Sequence, residues 1–553
     1  MKNSMLEQTT LAPTPESSAL LTLKPENGKT LLLPKGVHHL FPGDFPFRHL
    51  HISNNDDGIK HIVFDLSGME NVTIDGNGAE LILHGHLIPF YMRDAKNITL
   101  KNLTIDWEHP FCAQGEVVDA GPGWVEIKLE EAYDLRVCDG RLQAHTPDWM
   151  YPVGIHNLNY IDPVRGEHAY QSTDEYGMFT HEDYTAIQKE ARVLRLESDV
   201  MRNKPQVGQV AVFHFDGRTS PVVSAQNCEG IRIENSTIFH AGAIATIFEG
   251  CRDVYLDHLE VRRRGKRWFS SLNDATHFVE CKGNIFLTNC LFEFQNDDAT
   301  NIHGIYRSVD AALNEDTLLL RLMHFQQLGV DTIGPGDSLA LCDCNSLKTL
   351  AIRRVSKVLP QDHQCTAYQF SEKLPDLDWN HVVVMRYESD VHVLIQGNTI
   401  RNNRARGILI TSMGKVEIRD NFFHTPGPAI QIEYGVTGKW FESGPVEDVE
   451  ITDNIFDQCN FGCWGNALFL LGPMHGDPTS ENIRIHGNRI HHIYKPLVRI
   501  SNVDGFVFSD NEIVPGTDYP HWESSPDMLV LGPGVTNEVL SDFTSNREAG
   551  DTV

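Results

Sequence analysis

The chain has 553 residues and a net charge of −29 at pH 7, from 46 Lys and Arg against 75 Asp and Glu. So acidic a chain lacks the basic surface that nucleic acid phosphates or an anionic membrane would require, and we expect neither as a partner. Hydrophobic residues make up 41% of the sequence, which is enough for a large core and excludes a wholly disordered chain.

The first residues, 1–8, contain one lysine and no apolar stretch, so we expect no secretory signal in this sequence. The location is therefore left open between the cell interior and export with a signal removed. No apolar run reaches the roughly 18 residues of a transmembrane helix. The sequence also leaves the oligomeric state open, a homo-oligomer included.

A short pattern recurs along the chain, in which two apolar residues flank one other residue and Asn or a small residue follows. Its copies begin at Val72, Ile98, Ile231, Val254, Ile285, Val393, Val416, Val449, Ile483 and Phe506. Uninterrupted neighbours start 23 to 34 residues apart, and 23 recurs as the minimum. This spacing is typical of a solenoid, and the alternation predicts strands. We predict a right-handed parallel β-helix in which the recurrent asparagines point inward and stack as a ladder.

Two stretches lack the coil pattern, although each contains strand-like alternation. Both are too long for structureless loops, so we predict two inserted antiparallel β-barrel-like domains in an all-β chain. The predicted divisions are N-terminal coils (1–110), inserted domain 1 (111–219), catalytic coils (220–305), inserted domain 2 (306–388) and C-terminal coils (389–553). Insertions into a solenoid tend to cluster on one face, where they would wall a site.

A second set of strands aligns between the repeats, starting at Asp274, Asp298, Arg406 and Pro428. Alternation directs one set of their side chains away from the interior, and these are candidate substrate contacts. They are His277, Asn301, His303, Gln431 and Glu433, joined on the same face by Arg404 and Arg406. For the two histidines, plain surface exposure is the alternative.

The chemistry is predicted at three aspartates of this set. Asp274 and Asp298 are 24 residues apart, which is one coil, so they should stack on neighbouring coils with Asp297 beside them. Three carboxylates this close cannot all ionise cheaply, so at least one pKa should rise. In the functional interpretation, the three aspartates supply a general acid and a general base for hydrolysis. In the structural interpretation, they form a calcium site or a solvated turn. Carboxyls roughly 6.5–9.5 Å apart would favour inversion, and about 5 Å would favour retention.

A basic run lies just upstream, at residues 262–267, followed by Trp268. In so acidic a chain we interpret the run as a solvated loop, or as a turn that partly neutralises the carboxylates. Trp268 is a candidate platform for the flat face of a sugar, with a packing role as the alternative.

At these residues the chain resembles glycoside hydrolase family 110, the exo-α-1,3-galactosidases that include enzymes acting on the blood-group B antigen. The resemblance is carried by residues 33–36, 51–54, 71–79, 84–85 and 296–301. It implies a β-helix with inserted β-barrels, release of terminal galactose from glycans or oligosaccharides with inversion, and neither metal nor other cofactor. It also implies that Asp274, Asp297 and Asp298 are catalytic, with Asp297 as the acid and the other two activating water.

Three alternatives remain at this stage. A polygalacturonase-like hydrolase would carry a Gly-His-Gly and an Arg-Ile-Lys triplet, and this sequence has neither. A polysaccharide lyase would need a basic proton acceptor, for which Arg404 and Arg406 are the candidates. A non-catalytic glycan-binding β-helix, such as a tailspike or adhesin, would need no clustered carboxylates.

Overall fold

The computed structural model describes residues 19–149, 153–172, 184–199, 205–437, 440–462, 465–473, 475–493, 496–520, 528–541 and 546–547. Its body is a parallel β-helix whose coils contribute strands to three columns, and equivalent strands of successive coils pair side by side. Four short 3-10 helices accompany the strands in this described part, at Ala19–Thr22, Pro42–Asp44, Phe325–Gln327 and Trp379–His381. None of them is long or apolar enough to cross a membrane.

The three columns have the following bounds. The first comprises Thr30–Leu32, Glu70–Asp75, Lys96–Lys101, Glu229–Ile238, Arg252–Val261, Lys282–Thr288, Val391–Gln396, Lys415–Arg419, Asp448–Thr452, Ser480–His486, Val503–Ser509 and Val539–Leu540. The second comprises Gly36–Leu40, Ala79–Leu83, Thr104–Trp107, Leu291–Glu293, Thr399–Arg401, Phe422–His424, Ile455–Asp457, Arg489–His492 and Glu512–Pro515, and the strands at 229–238 and 252–261 extend into it. The third comprises Gly58–Asp65, Leu87–Arg93, Val223–Gln226, Thr246–Glu249, Thr276–Val279, Thr300–Asn314, Ile408–Ile410, Ile430–Ile432, Phe469–Leu471, Val498–Ile500, Leu529–Leu531 and Asn546–Arg547. Two short strands, Phe47–Leu50 and Glu442–Ser443, pair antiparallel with members of the third column.

The predicted repeat positions stack in register. Val393, Val416, Val449, Ile483 and Phe506 are successive partners in the first column. All five side chains are fully buried. Burial of such side chains contributes roughly 1.5–3 kcal/mol each, so this aliphatic stack is a main source of stability. The repeat pattern therefore predicted both the coil and its register.

The recurrent asparagines form the predicted ladder. The side-chain Nδ2 of Asn398 donates to Oδ1 of Asn421 at 2.9 Å, and Asn421 donates in the same way to Asn454 at 2.9 Å. Asn454 donates to Asn488 at 3.0 Å, and Asn488 donates to Asn511 at 2.9 Å. Each Oδ1 also accepts from the backbone amide of the preceding asparagine, as Asn454 does from Asn421 at 3.0 Å. The ladder thus satisfies polar groups that the coil turns bury.

We expect Asn454→Ala to lower the free energy of unfolding by about 2–3 kcal/mol, because it leaves the backbone amide of Asn421 unpaired and removes one of the two hydrogen bonds that its Nδ2 donates. Asn511→Ala at the end of the ladder should cost about 1 kcal/mol, since Asn511 is only partly buried and water can replace it. Denaturant unfolding of the full chain measures both variants. Equal losses would contradict the ladder's role.

The first insertion is an antiparallel sheet curled into a barrel. Its strands are Cys112–Gly121, Trp124–Leu129, Asp134–Cys138, Arg141–His145, Val153–Asp162, Glu167–His168, Thr185–Glu190, Val193–Glu197 and Val210–Phe215. The two ends of the sheet meet where the amide of Ala186 donates to the carbonyl of Gly140 at 2.8 Å. The amide of Leu142 donates to the hydroxyl of Tyr184 at 3.1 Å beside it.

The second insertion is a closed barrel of six antiparallel strands. They are the distal part of Thr300–Asn314, then Thr317–Arg321, Ser338–Asp343, Thr349–Pro360, Cys365–Phe370 and Val382–Tyr387. Pairing of residues 306–308 with 383–385 closes the ring. Because the first strand continues directly from the third column of the β-helix, the barrel is fixed at the coil that carries Asp297 and Asp298.

Candidate active site

In the third column, the side chains that point away from the interior of the β-helix form a row, called here the outward row, and this row has the predicted register. His277 pairs with Asn301, Asn301 with Leu409, and Leu409 with Gln431 on successive coils. Surface exposure of the histidines, however, is wrong, because the strand Glu442–Ser443 pairs with residues 304–305 and the Glu442 carboxylate lies over this face, 3.7 Å from Nε2 of His303. His277 is 1% exposed and His303 is 3% exposed.

The three aspartates converge as the coil spacing predicted. The amide of Ala275 donates to the carbonyl of Asp298 at 3.1 Å, so the turns that carry Asp274 and Asp298 lie on adjacent rungs. One carboxylate oxygen from each of Asp274, Asp297 and Asp298 lies within 4.8 Å of the others. This closest approach is shorter than the roughly 6.5–9.5 Å typical of inverting carboxyl pairs.

Guanidinium groups compensate two of the three charges. Arg406 forms a bidentate pair with Asp298, with Nε at 2.8 Å and Nη2 at 2.7 Å, and its backbone amide adds a third hydrogen bond at 2.8 Å. Asp297 faces Arg404 at 3.2 Å and Arg218 at 3.6 Å. Both arginines predicted to contact sugar hydroxyls thus contact carboxylates. With these oxygens engaged by arginines, the triad offers a metal ion few free ligands.

The three carboxyls differ in their affinity for protons. Burial, with repulsion from Asp297, raises the pKa of Asp274 to about 8. Burial also raises the pKa of Asp298 to about 7, although Arg406 opposes the shift. Burial acts in the same direction on Asp297, yet the charges of Arg404 and Arg218 hold its pKa below the ordinary value. At neutral pH the free protein therefore carries its proton on Asp274 and a negative charge on Asp297.

A chain of hydrogen bonds through two neutral histidines leads to the same position for the proton. The carbonyl of Gly304 can only accept, so Nδ1 of His303 donates to it at 2.8 Å, and with His303 in its neutral form Nε2 is an acceptor. Nε2 of His277 lies 2.9 Å from that atom and must donate, which leaves Nδ1 of His277 without a proton. Burial and the neighbouring His303 hold the pKa of His277 well below its usual value, so this ring is neutral. Its bare Nδ1 lies 2.6 Å from Oδ2 of Asp274, which requires the proton on Asp274.

A cavity of about 340 Å³ opens above Asp297 and is walled by three parts of the chain. The first barrel contributes Asn157, His214 and Phe215, the second contributes His324, Phe325 and Gln326, and the β-helix contributes Asn273, Asn296 and Arg404. Asp297 lines the cavity, whereas Asp274 and Asp298 lie beneath it and are 4% and 1% exposed. The inserted domains therefore wall the site, as the sequence predicted.

Trp268 and the basic run before it lie away from the triad. Trp268 lies outside the residues that line the cavity in the described chain, packs against Phe294, and has the guanidinium of Arg263 4.3 Å above its ring. The basic run pairs with the β-helix instead of the triad, since Arg264 and Arg267 both bind Asp106, at 2.9 Å and 2.6 Å.

Asn301 and Gln431 lie beside the triad on its outward row. Nδ2 of Asn301 donates to Glu442 at 3.5 Å, and Nε2 of Gln431 donates to Glu433 at 2.6 Å. Within the described chain, the side-chain oxygens of both amides are buried without a hydrogen-bond partner. Such oxygens could accept hydrogen bonds from sugar hydroxyls, so their role as substrate contacts stays a prediction.

Sequence reasoning missed three residues of the site. Arg218 follows the last strand of the first barrel, and Trp440 and Glu442 belong to the segment that crosses the outward row. Arg218 lies over the ring of Trp440, at 5.5 Å from its centre. All three lie outside the coil repeats, so no spacing signal marked them.

Comparison with known proteins agrees with this fold. Residues 317–377 match the family described as GLAA-B beta-barrel domain II, and residues 377–520 match the right handed beta helix region, which confirms the predicted handedness. Alpha-1,3-galactosidase A of Shewanella woodyi is 34% identical over 92% of this chain and 84% of its own length. Alpha-1,3-galactosidase B of Bacteroides fragilis is 28% identical over 95% of this chain and 92% of its own length. Alpha-1,3-galactosidase B of Parabacteroides distasonis is 29% identical over 91% of this chain and 85% of its own length. The chain is therefore a glycoside hydrolase and belongs to the α-1,3-galactosidase family, glycoside hydrolase family 110.

Proposed function

We propose that the protein releases terminal α-1,3-linked galactose from glycans or oligosaccharides by general acid and general base catalysis, with inversion at the anomeric carbon. The observation that carries the proposal is the convergence of Asp274, Asp297 and Asp298 at the base of a walled cavity. The names of the relatives support galactose in α-1,3 linkage as the sugar removed. Family membership decides against the non-catalytic glycan-binding alternative.

In the proposed reaction, one carboxylic acid donates its proton to the glycosidic oxygen as the bond to the anomeric carbon breaks. A water molecule attacks that carbon from the opposite face and gives its proton to a carboxylate. The products are free galactose and the acceptor with a restored hydroxyl. The site regains its original protonation once the proton returns through the triad.

We assign the role of general acid to Asp297, because it is the carboxyl that reaches the cavity. We assign to Asp274 and Asp298 the role of holding and activating the attacking water. In the free protein the proton is on Asp274, so this assignment requires its transfer to Asp297 when sugar fills the cavity. Exclusion of water by the sugar would raise the pKa of Asp297 and favour the transfer. The reversed assignment, with Asp274 as acid and Asp297 as base, is the alternative.

Inversion is tested by the anomer of the first product. We expect proton NMR of a reaction with an α-1,3-galactoside to show β-galactose before mutarotation produces the α form. The close approach of the carboxylates is the feature that a retaining pair would share. If α-galactose forms first, the enzyme retains the anomeric configuration, and the proposed inversion is wrong although the galactosidase activity is not.

Linkage is tested in parallel with α-1,3-, α-1,4- and α-1,6-linked galactosides of the same acceptor. We expect hydrolysis of the α-1,3 linkage at least about 100-fold faster in kcat/KM than of either other linkage, since a walled cavity admits one orientation of the acceptor. Faster cleavage of polygalacturonate would instead favour the polygalacturonase-like alternative.

The pH dependence follows from the raised pKa values. Activity needs one proton on the triad, which is lost as pH rises through about 8, so kcat/KM should fall about tenfold per pH unit above that value. A second proton enters as pH falls through about 7, at Asp298, and should reduce kcat/KM on the acid side. We expect a maximum between these values in an initial-rate profile of kcat/KM. A profile flat to pH 10 would contradict the proton assignment.

A further inference from the structure

A second group of ligating side chains lies at one corner of the first three coils. His39 is in the strand Gly36–Leu40, His84 follows the next strand of that column, and Glu108 follows the one after. The amide of His84 donates to the carbonyl of Leu40 at 2.9 Å. The amide of Glu108 donates to the carbonyl of residue 83 at 3.0 Å, so the three side chains belong to stacked rungs.

The nitrogen atoms of this group face one another. Nδ1 of His39 lies 2.9 Å from Nε2 of His84, and a carboxylate oxygen of Glu108 lies within 4.8 Å of both. Asp148 accepts from Nδ1 of His84 at 3.2 Å, which fixes the proton on that atom and directs the lone pair of Nε2 into the group. Phe41 stacks on the His84 ring at 4.1 Å and holds its plane.

We propose that His39, His84 and Glu108 bind a divalent transition-metal ion of the zinc class, with Asp148 as the hydrogen-bonded support behind His84. Two imidazole nitrogens and one carboxylate oxygen suit zinc, cobalt or nickel, whereas calcium and magnesium prefer oxygen ligands throughout. At Zn–N bonds of about 2.0–2.1 Å, two tetrahedral nitrogens lie roughly 3.3 Å apart, so the histidines need to separate only slightly.

The carboxylate behind a metal-bound histidine is a recurrent arrangement, because it fixes the tautomer and strengthens the ligand. Asp148 is 11% exposed and belongs to the first inserted barrel domain, whereas the three ligands belong to the β-helix. A bound ion would therefore join the N-terminal coils to that domain. None of the three ligands lines the cavity above Asp297 in the described chain, so the ion acts on stability and not on galactoside cleavage.

The test is calorimetric titration of the full-length chain with zinc after treatment with a chelator. We expect about one equivalent to bind and to raise the Tm, and we expect cobalt to give the visible absorption of a tetrahedral site with nitrogen and oxygen ligands. Glu108→Gln, at an exposed side chain that folding does not need, should weaken binding at least about tenfold. His84→Gln should abolish binding, and Asp148→Asn should weaken it.

The matched control is His381→Gln, which removes an exposed histidine that also lies beside a carboxylate, Asp378 at 3.8 Å. This variant should bind zinc as the parent does. Absence of zinc binding to the parent chain overturns the proposal. So does binding that Glu108→Gln and His84→Gln leave unchanged, since the ion would then occupy another place.

Discussion

Asp297→Asn is expected to lower kcat/KM for an α-1,3-linked disaccharide by about 10³–10⁴-fold, because the sugar leaving group needs a proton. The same variant should lose less than about tenfold on 4-nitrophenyl α-galactoside, whose phenolate leaves without protonation. Asp274→Asn and Asp298→Asn should lose activity on both substrates, since an aryl leaving group does not replace the base. Initial rates on the two substrates measure the comparison.

The control for this experiment is Asp390→Asn, because Asp390 is 81% exposed and pairs with Arg252 at the surface. It should retain full activity on both substrates. Asp298→Asn leaves the partly buried Arg406 without its carboxylate, so its Tm must be measured beside its rates. If Asp274→Asn is the variant spared on the aryl substrate, the acid is Asp274 and our assignment of roles is wrong.

His303→Leu is expected to move the alkaline limb of kcat/KM about one pH unit below 8. Without His303, Nε2 of His277 loses its acceptor, and the ring takes the tautomer with a proton on Nδ1. That proton donates to ionised Asp274 and stabilises the charged form, so the pKa of Asp274 falls. The charged groups Asp297, Arg218, Arg406 and Glu442 also influence this carboxyl, and the substitution leaves them in place.

His303→Gln is the matched variant, because its amide can donate to the carbonyl of Gly304 and accept from His277 as the imidazole does. It should keep the alkaline limb within about 0.3 pH units of the parent. A purely structural role for His303 would reduce kcat in both variants without moving either limb. That outcome would show that the hydrogen bonds between His303 and His277 do not control the protonation of Asp274.

The coil repeat predicted most of the fold because its causes are local. Each strand alternates apolar and polar residues, and the stack from Val393 to Phe506 follows from placing equal residues one coil apart. The same counting brought Asp274 to Asp297 and Asp298, since a rung spacing of about 4.8 Å leaves the carboxylates little freedom. Register in a solenoid is therefore recoverable from spacing alone.

The individual residues that complete the walls of the site could not be found in this way. Arg218 reaches Asp297, and Trp440 packs against Arg218, from segments whose length and path do not follow the coil period. The burial of His277 and His303 likewise depends on a strand 165 and 139 residues further along the chain, at Glu442–Ser443. The local alternation does not record such long-range covering, so it directed the two histidines outward and left surface exposure as an alternative to substrate contact.

The carboxylates lie on the coils of the β-helix, whereas much of the cavity wall comes from the two barrels. This separation has a consequence for how such enzymes diversify. In the proposed mechanism the groups that move protons are fixed to the coils, whereas the cavity walls above them include Asn157 and Phe215 from one barrel and Phe325 from the other. Loop changes in either barrel can reshape which acceptors enter without disturbing the spacing of the carboxylates. Grafting barrel loops between relatives is thus a route to new acceptor preferences at unchanged chemistry.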